Sequence, residues 1–133
     1  MNLHSHHQLR TALFLLGSVL SLAMIASAQQ PAAKSADDYV AAGIAAQAAG
    51  KHEEALPQYA TALKLQPKNF LAHYNSGVAY SMLQKFEEAL KAFQAAVALE
   101  PREPQVHLAL GDAYAANGRT LEAIDALKEA IRL

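Results

Sequence analysis

From Ala36 onward, apolar side chains recur three and four positions apart instead of alternating, the spacing that gathers them on one face of an α-helix. The stretch beginning at Leu71 shows this best. A first helix over about Leu71 to Leu83 presents Tyr74, Gly77, Val78 and Tyr80, and a second over about Phe86 to Leu99 presents Phe86, Ala89, Leu90, Phe93, Ala96, Val97 and Leu99. Gly77 and Ala89 carry little side chain, so the two axes can approach closely while Tyr80 and Phe93 fill the space beside them. The breaks are equally legible: Gly50 and Gly118 stand where a left-handed residue ends a first helix, and Pro67 and Pro101 stop a second. Gln84-Lys85 replaces the glycine in the middle of the chain, which predicts a looser or differently capped turn. Pro57 falls inside a second helix and removes a hydrogen bond to the Glu53 carbonyl, a cost of about 3 kcal/mol unless the proline lies on the outer face and merely bends the helix.

The pattern is periodic. Gly43, Gly77 and Gly111 are 34 residues apart, and Ala55, Ala89 and Ala123 keep that interval, as do Ala62, Ala96 and Ala130, the series Tyr59, Phe93 and Leu127, and the pair Pro67 and Pro101. Five columns in register make the chain an array of helical hairpins. The order of these residues, small and glycine in the first half, alanine before a large apolar residue in the second and proline at the close, resembles the tetratricopeptide repeat. Three units follow, residues 36–69, 70–103 and 104–133, about three quarters of the chain. The resemblance implies an all-α fold, an α-solenoid of three helix-turn-helix repeats. It also implies that the first helices line a concave surface that receives a peptide or a partner helix.

Carried over column by column, the apolar part of that surface is Val40, Ile44, Leu71, Tyr74, Val78, Met82 and Leu108, flanked by Asp37, Gln47, Ser81, Gln105, Asp112 and Ala115. Leu71 and Val78 have an alternative role in packing between neighbouring helices. One branch of the family clamps the acidic tails of heat-shock chaperones with lysine, arginine and asparagine. Here the corresponding columns hold Val40, Ile44, Asn75, Gln105 and Ala109, so only Asn75 agrees and no clamp is expected. The last helix is expected to leave an apolar strip of Leu121, Ile124, Ala130 and Ile131 uncovered, because terminal units of a stacked array normally need a polar helix to hide it.

Residues 1–28 belong to a different class. Arg10 precedes an apolar run from Ala12 to Ile25, which leads into Ala26-Ser27-Ala28, the three parts of a secretory signal peptide. The rival reading is an uncleaved anchor, but fourteen residues interrupted by Gly17, Ser18 and Ser21 are shorter than a bilayer span of about 20. A bacterial lipoprotein anchor would need a cysteine, and the sequence contains none. The expectation is an exported protein, periplasmic if bacterial and otherwise secreted, whose mature form starts at Gln29 with a short spacer, residues 29–35.

Charge and candidate chemistry narrow the function. Loss of Arg10 leaves ten Lys and Arg against twelve Asp and Glu, a mildly acidic surface that draws neither nucleic acid nor anionic lipid. His4, His6 and His7 lie in the segment expected to be removed. His73 and His107 occupy one column, where an imidazole fills the place of a ring and turns its polar edge to a backbone group or water; two such residues without a third ligand do not close a metal site. The pairs Glu53-Glu54 and Glu87-Glu88 diverge by about 100° on a helix and suit the first turn of its dipole better than acid-base catalysis. No phosphate loop, nucleophile elbow or zinc-protease element is present. The expectation is therefore a non-enzymatic module, without catalytic residues, metal or cofactor, that binds a protein or peptide. The alternative is a self-assembling structural element, a homo-oligomer joined through its C-terminal end, or a fragment of a larger cell-envelope protein.

Overall fold

Apolar spacing, caps and small-residue columns produce six helices and no strand among the described residues, which are 32–133 of a computed structural model. Residues 1–31, and with them the segment read as a signal peptide, lie outside the described residues. Helix α1 spans Ala36–Ala48, α2 His52–Leu65, α3 Phe70–Met82, α4 Phe86–Leu99, α5 Pro104–Ala116 and α6 Thr120–Arg132. Consecutive helices pair as hairpins, α1 with α2, α3 with α4 and α5 with α6, and the hairpins stack through α2 on α3 and α4 on α5. This is an all-α helical-repeat solenoid, as the period predicts.

Two of the six helix starts, those of α1 and α3, carry side-chain caps. Ser35 and Asp38 form a reciprocal capping box at α1: Asp38 N–H donates to Ser35 Oγ (3.2 Å), and Ser35 N–H donates to Asp38 Oδ2 (2.7 Å). Those hydrogen bonds, from the Ser35 backbone first and its hydroxyl second, hold the Asp38 carboxyl below the usual carboxylate range. Asn69 caps α3 by accepting from Ala72 N–H at 2.9 Å.

The turns inside the hairpins are three copies of one geometry. Gly50, Gln84 and Gly118 all have positive φ, +74°, +59° and +72°. Each N–H donates to the carbonyl three residues back, and the next residue's N–H reaches five back, as in Lys51 to Ala46 and Lys85 to Tyr80, both 2.9 Å. The middle turn is therefore not looser, contrary to the expectation from Gln84-Lys85. The helix ends impose the left-handed residue whatever its side chain, and Gln84 takes on a strain that glycine avoids, about 1–2 kcal/mol for an L-residue. Helix α2 continues through Pro57, which is exposed, and Thr61 Oγ donates to the Pro57 carbonyl at 2.9 Å.

Within each hairpin the glycine column faces the large residue of the second helix. A Cβ added to Gly77 would lie 2.6 Å from Phe93 Cε1, and one on Gly111 2.8 Å from Leu127 Cγ; on Gly43 it would strike the Tyr59 ring. The glycines are what let these side chains lie flat on the opposing backbone. Tyr59 is fully buried and Phe93 nearly so, each contributing on the order of 2–3 kcal/mol of apolar burial. The Tyr59 hydroxyl donates to Gln47 Oε1 at 2.8 Å, so its polar end is satisfied. Ala89, Leu90 and Phe93 of α4 join Leu110 and Ala113 of α5 in the largest buried cluster.

Candidate functional site

The first helices α1, α3 and α5 lie side by side, α1 touching α3 and α3 touching α5. Four of the seven apolar residues assigned to their shared face are exposed: Ile44 (42%), Leu71 (51%), Met82 (61%) and Leu108 (50%). On α3 the positions 71, 74, 78 and 82 follow one stripe by helical spacing. Leu71 and Met82 mark its ends, and Tyr74 and Val78 between them are half-buried.

Two assignments change with the packing. Val40 is 4% exposed and belongs to a buried cluster with Ala62 of α2 and Ala72 of α3, so it supports the face from beneath and offers a ligand nothing. The reason is steric: Ala72 is small enough for α3 to settle directly on α1. Val78 leans on the cluster around Phe93 and presents only part of its surface. Tyr74 is held from both sides, stacked on Phe70 (centroids 6.0 Å, interplanar angle 13°) and tilted against Phe93 (5.8 Å, 55°). This orders the ring before any ligand arrives, and it makes Tyr74 a core residue as well as a surface one.

The polar groups of the face are modest. Asn75 Nδ2 donates to the Leu71 carbonyl in its own helix at 2.8 Å, so the one residue matching the chaperone clamp is already engaged. No lysine or arginine occupies the apolar stripe.

The histidines resolve as structural side chains. His73 Nε2 lies 2.9 Å from the Pro67 carbonyl and His107 Nε2 2.7 Å from the Pro101 carbonyl, so in each the ring N–H donates across the loop between hairpins. His52, in the place taken by Phe86 one repeat later, is half-buried, and its Nδ1 has no hydrogen-bond partner. Among the described residues no three His, Asp or Glu side chains gather at metal-binding distance. Glu53, Glu54, Glu87 and Glu88 are all exposed at the starts of α2 and α4, and Glu54 pairs with Lys51 Nζ at 3.1 Å.

Two open cavities were not foreseen from the sequence. One of about 340 Å³ lies between the first two hairpins, where Leu56 and Leu63 of α2, His73 and Ser76 of α3, and Glu88 and Lys91 of α4 meet. The other, about 420 Å³, is bounded by Pro104, Gln105 and Leu108 of α5 and Leu127, Ala130 and Ile131 of α6. It joins Leu108, assigned to the concave face, to Ala130 and Ile131 of the predicted strip. In that strip Leu121 (77%), Ile124 (43%) and Ile131 (86%) are exposed, and Ala130 is half-buried. The repeat columns contained the signal for this cavity, since Leu108, Ala130 and Ile131 sit one period after Tyr74, Ala96 and Val97.

Comparison with known proteins agrees with this geometry. Family profiles described as "Tetratricopeptide repeat" and "TPR repeat" match residues 83–133 and 48–84. Among solved structures, MamA of AMB-1 is 30% identical, with a TM-score of 0.71 over 77% of this chain and 56% of that one. A mutant of MamA is also 30% identical, with a TM-score of 0.70, covering 76% of this chain and 74% of that one. The second TPR of Spaghetti (RPAP3), bound to the HSP90 peptide SRMEEVD, is 26% identical with a TM-score of 0.73, over 75% and 93% of the two chains. The chain thus spans little more than half of the AMB-1 MamA structure and nearly all of the Spaghetti domain. No curated protein sequence matches. The 34-residue columns, the three stacked hairpins and these similarities together establish that the chain belongs to the tetratricopeptide repeat family, a protein-interaction fold.

Proposed function

We propose that this protein is an exported, non-enzymatic interaction module that receives an extended peptide or a partner helix on the face formed by α1, α3 and α5. The observation that carries the reading is the set of large apolar side chains, Ile44, Leu71, Met82 and Leu108, left exposed on that face around the ordered Tyr74 ring. Isolated exposed leucines are ordinary; several on the inner helices of a repeat array give an apolar anchor site. Met82 adapts its shape to a partner at small cost.

The ligand expected here is apolar. The acidic peptide held by the Spaghetti domain has no counterpart set of cations in this chain, because the clamp columns hold Val40, Ile44, Gln105 and Ala109 and Asn75 is bonded within α3. Contact of this kind is weakly screened, so affinity should change little between low and high salt.

The experiment is a binding titration with a partner captured from the protein's own cell envelope, comparing Leu71→Glu and Met82→Glu with Lys91→Ala. The first two residues are exposed and lie outside the core, so the fold survives their replacement. Each should weaken binding by about 1–3 kcal/mol, the range for an interface anchor. Lys91, on α4 beside the outer cavity, should matter little. Steep salt dependence, or a larger loss from Lys91→Ala, would move the site to the outer cavity. Export rests on the small residues Ala26 and Ala28 ahead of Gln29. N-terminal sequencing of the native protein tests it, and an intact Met1 would replace the signal peptide with an anchor.

A further inference from the structure

Each joint between hairpins opens outward as a groove. The second helix of one hairpin rests on the first helix of the next, α2 on α3 and α4 on α5, while the second helices themselves, α2 and α4 or α4 and α6, do not touch. The two grooves share a plan but not a filling. At the joint of α4 and α5, Leu110 is buried in a cluster with Leu90, against which Val97, Tyr114 and Ala126 pack, and Gln94 Nε2 donates to the Tyr114 hydroxyl at 3.1 Å. One period earlier the same columns hold Ser76 in place of Leu110 and Ala60 in place of Gln94. The groove there is the cavity of about 340 Å³, lined by Leu56, Leu63, Tyr80 and Ala92, the counterparts of the residues around Leu110.

The smaller side chains leave the first joint underfilled. Leu90 is 3% exposed, whereas Leu56 in the same column is only half-buried. Ser76 turns its hydroxyl back to the Ala72 carbonyl at 2.7 Å and puts nothing into the space. The Tyr80 hydroxyl, whose counterpart receives the Gln94 amide, has no hydrogen-bond partner among the described residues. On the rim Glu88 and Lys91 are exposed and belong to no ion pair among the described residues, although Glu122, one period after Glu88, is held by Arg119 at 2.9 Å. This joint lies between two hairpins that are both described, so the opening is a property of its own side chains.

The filled joint displays the chemistry that fits the open one: a branched aliphatic group of leucine size together with an amide N–H directed at the tyrosine hydroxyl. A leucine residue within a peptide carries both. Rim charges of opposite sign suit neutral amide dipoles, Lys91 donating to a carbonyl and Glu88 accepting from an N–H, and favour neither an anion nor a cation. A bare hydrocarbon chain would fill the space and leave the Tyr80 hydroxyl without a partner. We propose that the groove between α2 and α4 is a second binding site, where a peptide segment of a partner protein inserts one leucine-sized aliphatic side chain over Ser76 and Ala92 and donates a main-chain N–H to Tyr80. Its volume falls within the range of about 300–1,000 Å³ typical of ligand sites. This is independent of the concave-face reading, which concerns other residues.

A nuclear magnetic resonance titration of the isotopically labelled protein with N-acetyl-leucine amide, a leucine side chain between two amides, tests it. Saturable shifts are expected at the backbone amides of Tyr80, Ala92 and Ala95, with the millimolar dissociation constant of so small a fragment, and none at Leu110 or Ala126 of the filled joint. N-acetyl-glycine amide, which keeps the amides, and isopentanol, which keeps the side chain, should each bind about tenfold more weakly. Tyr80→Phe should weaken the leucine probe about threefold to tenfold, the loss of one hydrogen bond, and leave isopentanol unchanged. That variant removes a single atom and tests the hydrogen bond without repacking. The double variant Ala60→Gln with Ser76→Leu copies the filled joint; it should unfold at a higher urea concentration than the parent and no longer bind. Leu71→Glu should leave the titration unchanged, which separates this groove from the concave face. No saturable shift at this joint, equal binding of the three probes, equal shifts at both joints, insensitivity to Tyr80→Phe, or a folded double variant that binds like the parent would each overturn the proposal.

Discussion

Replacing Gly77 with alanine sets two known effects against each other. In an exposed helix interior the change stabilises, by about 1 kcal/mol, because alanine is the better helix former. At this position the new methyl group would stand 2.6 Å from Phe93 Cε1 and 2.7 Å from Cδ1, well inside contact distance. Phe93 is 2% exposed and packs against Tyr74, so the ring has no free direction in which to swing. Overpacking of this sort costs about 1–3 kcal/mol, and the net expectation is a destabilisation of about 1–2 kcal/mol. The same change at Gly43 meets the fully buried, hydrogen-bonded Tyr59 ring and should cost at least as much. At Gly111 it meets the half-buried and more flexible Leu127, so the two effects should nearly cancel. Urea denaturation followed by circular dichroism gives the three values. A double-mutant cycle with Phe93→Leu sharpens the test, because leucine is what stands opposite Gly111; in that background Gly77→Ala should cost about 1 kcal/mol less. If Gly77→Ala stabilises the protein, or if all three glycines respond alike, the close approach of helix and ring is not what retains glycine there.

Two further outcomes follow from features of the turns and the core. Gln84→Gly should stabilise the protein by about 0.5–1 kcal/mol in the same denaturation assay, the relief of the left-handed strain being partly offset by a more flexible unfolded chain; a destabilised variant would mean that the Gln84 side chain contributes more than its backbone costs. Burial pushes the Tyr59 phenol up to about 12 from an ordinary value of 10.0. A raised folded-state value holds the proton more tightly, so the associated stability is complete below about pH 10 and is lost as pH rises toward 12. Across that window the parent should lose more stability than Tyr59→Phe, and parallel loss in the two would refute the assignment.

Fold and site were legible in the sequence to different depths. The period sets hairpins, glycines and turns in register, and the helices of the middle unit were read to within a residue: Phe70–Met82 against an expected Leu71 to Leu83, and Phe86–Leu99 as expected. The turn at Gln84 was misjudged because a left-handed residue is announced by glycine, whereas here the hydrogen bonds of the flanking helices impose it. The face was less readable because exposure is not a property of a column alone. Val40, Tyr74 and Leu108 share a column yet are buried, half-buried and exposed, in that order, according to what the next hairpin brings against each. The cavity beside Leu56 and Lys91 is formed between hairpins, so no single repeat records it.

The hydrogen bonds from His73 to Pro67 and from His107 to Pro101 reach beyond the loops they close. Each ties the first helix of a hairpin to the backbone that delivers the chain from the hairpin before, at the two joints where one unit is hinged on the next. The angle between successive units sets the curvature of the whole array, and hence how far apart Ile44, Leu71 and Leu108 stand when a ligand arrives. On the proposed reading, two imidazoles that lie off the apolar stripe therefore act as setscrews on the spacing of the binding face, and the fit of a partner can drift through changes made entirely behind it.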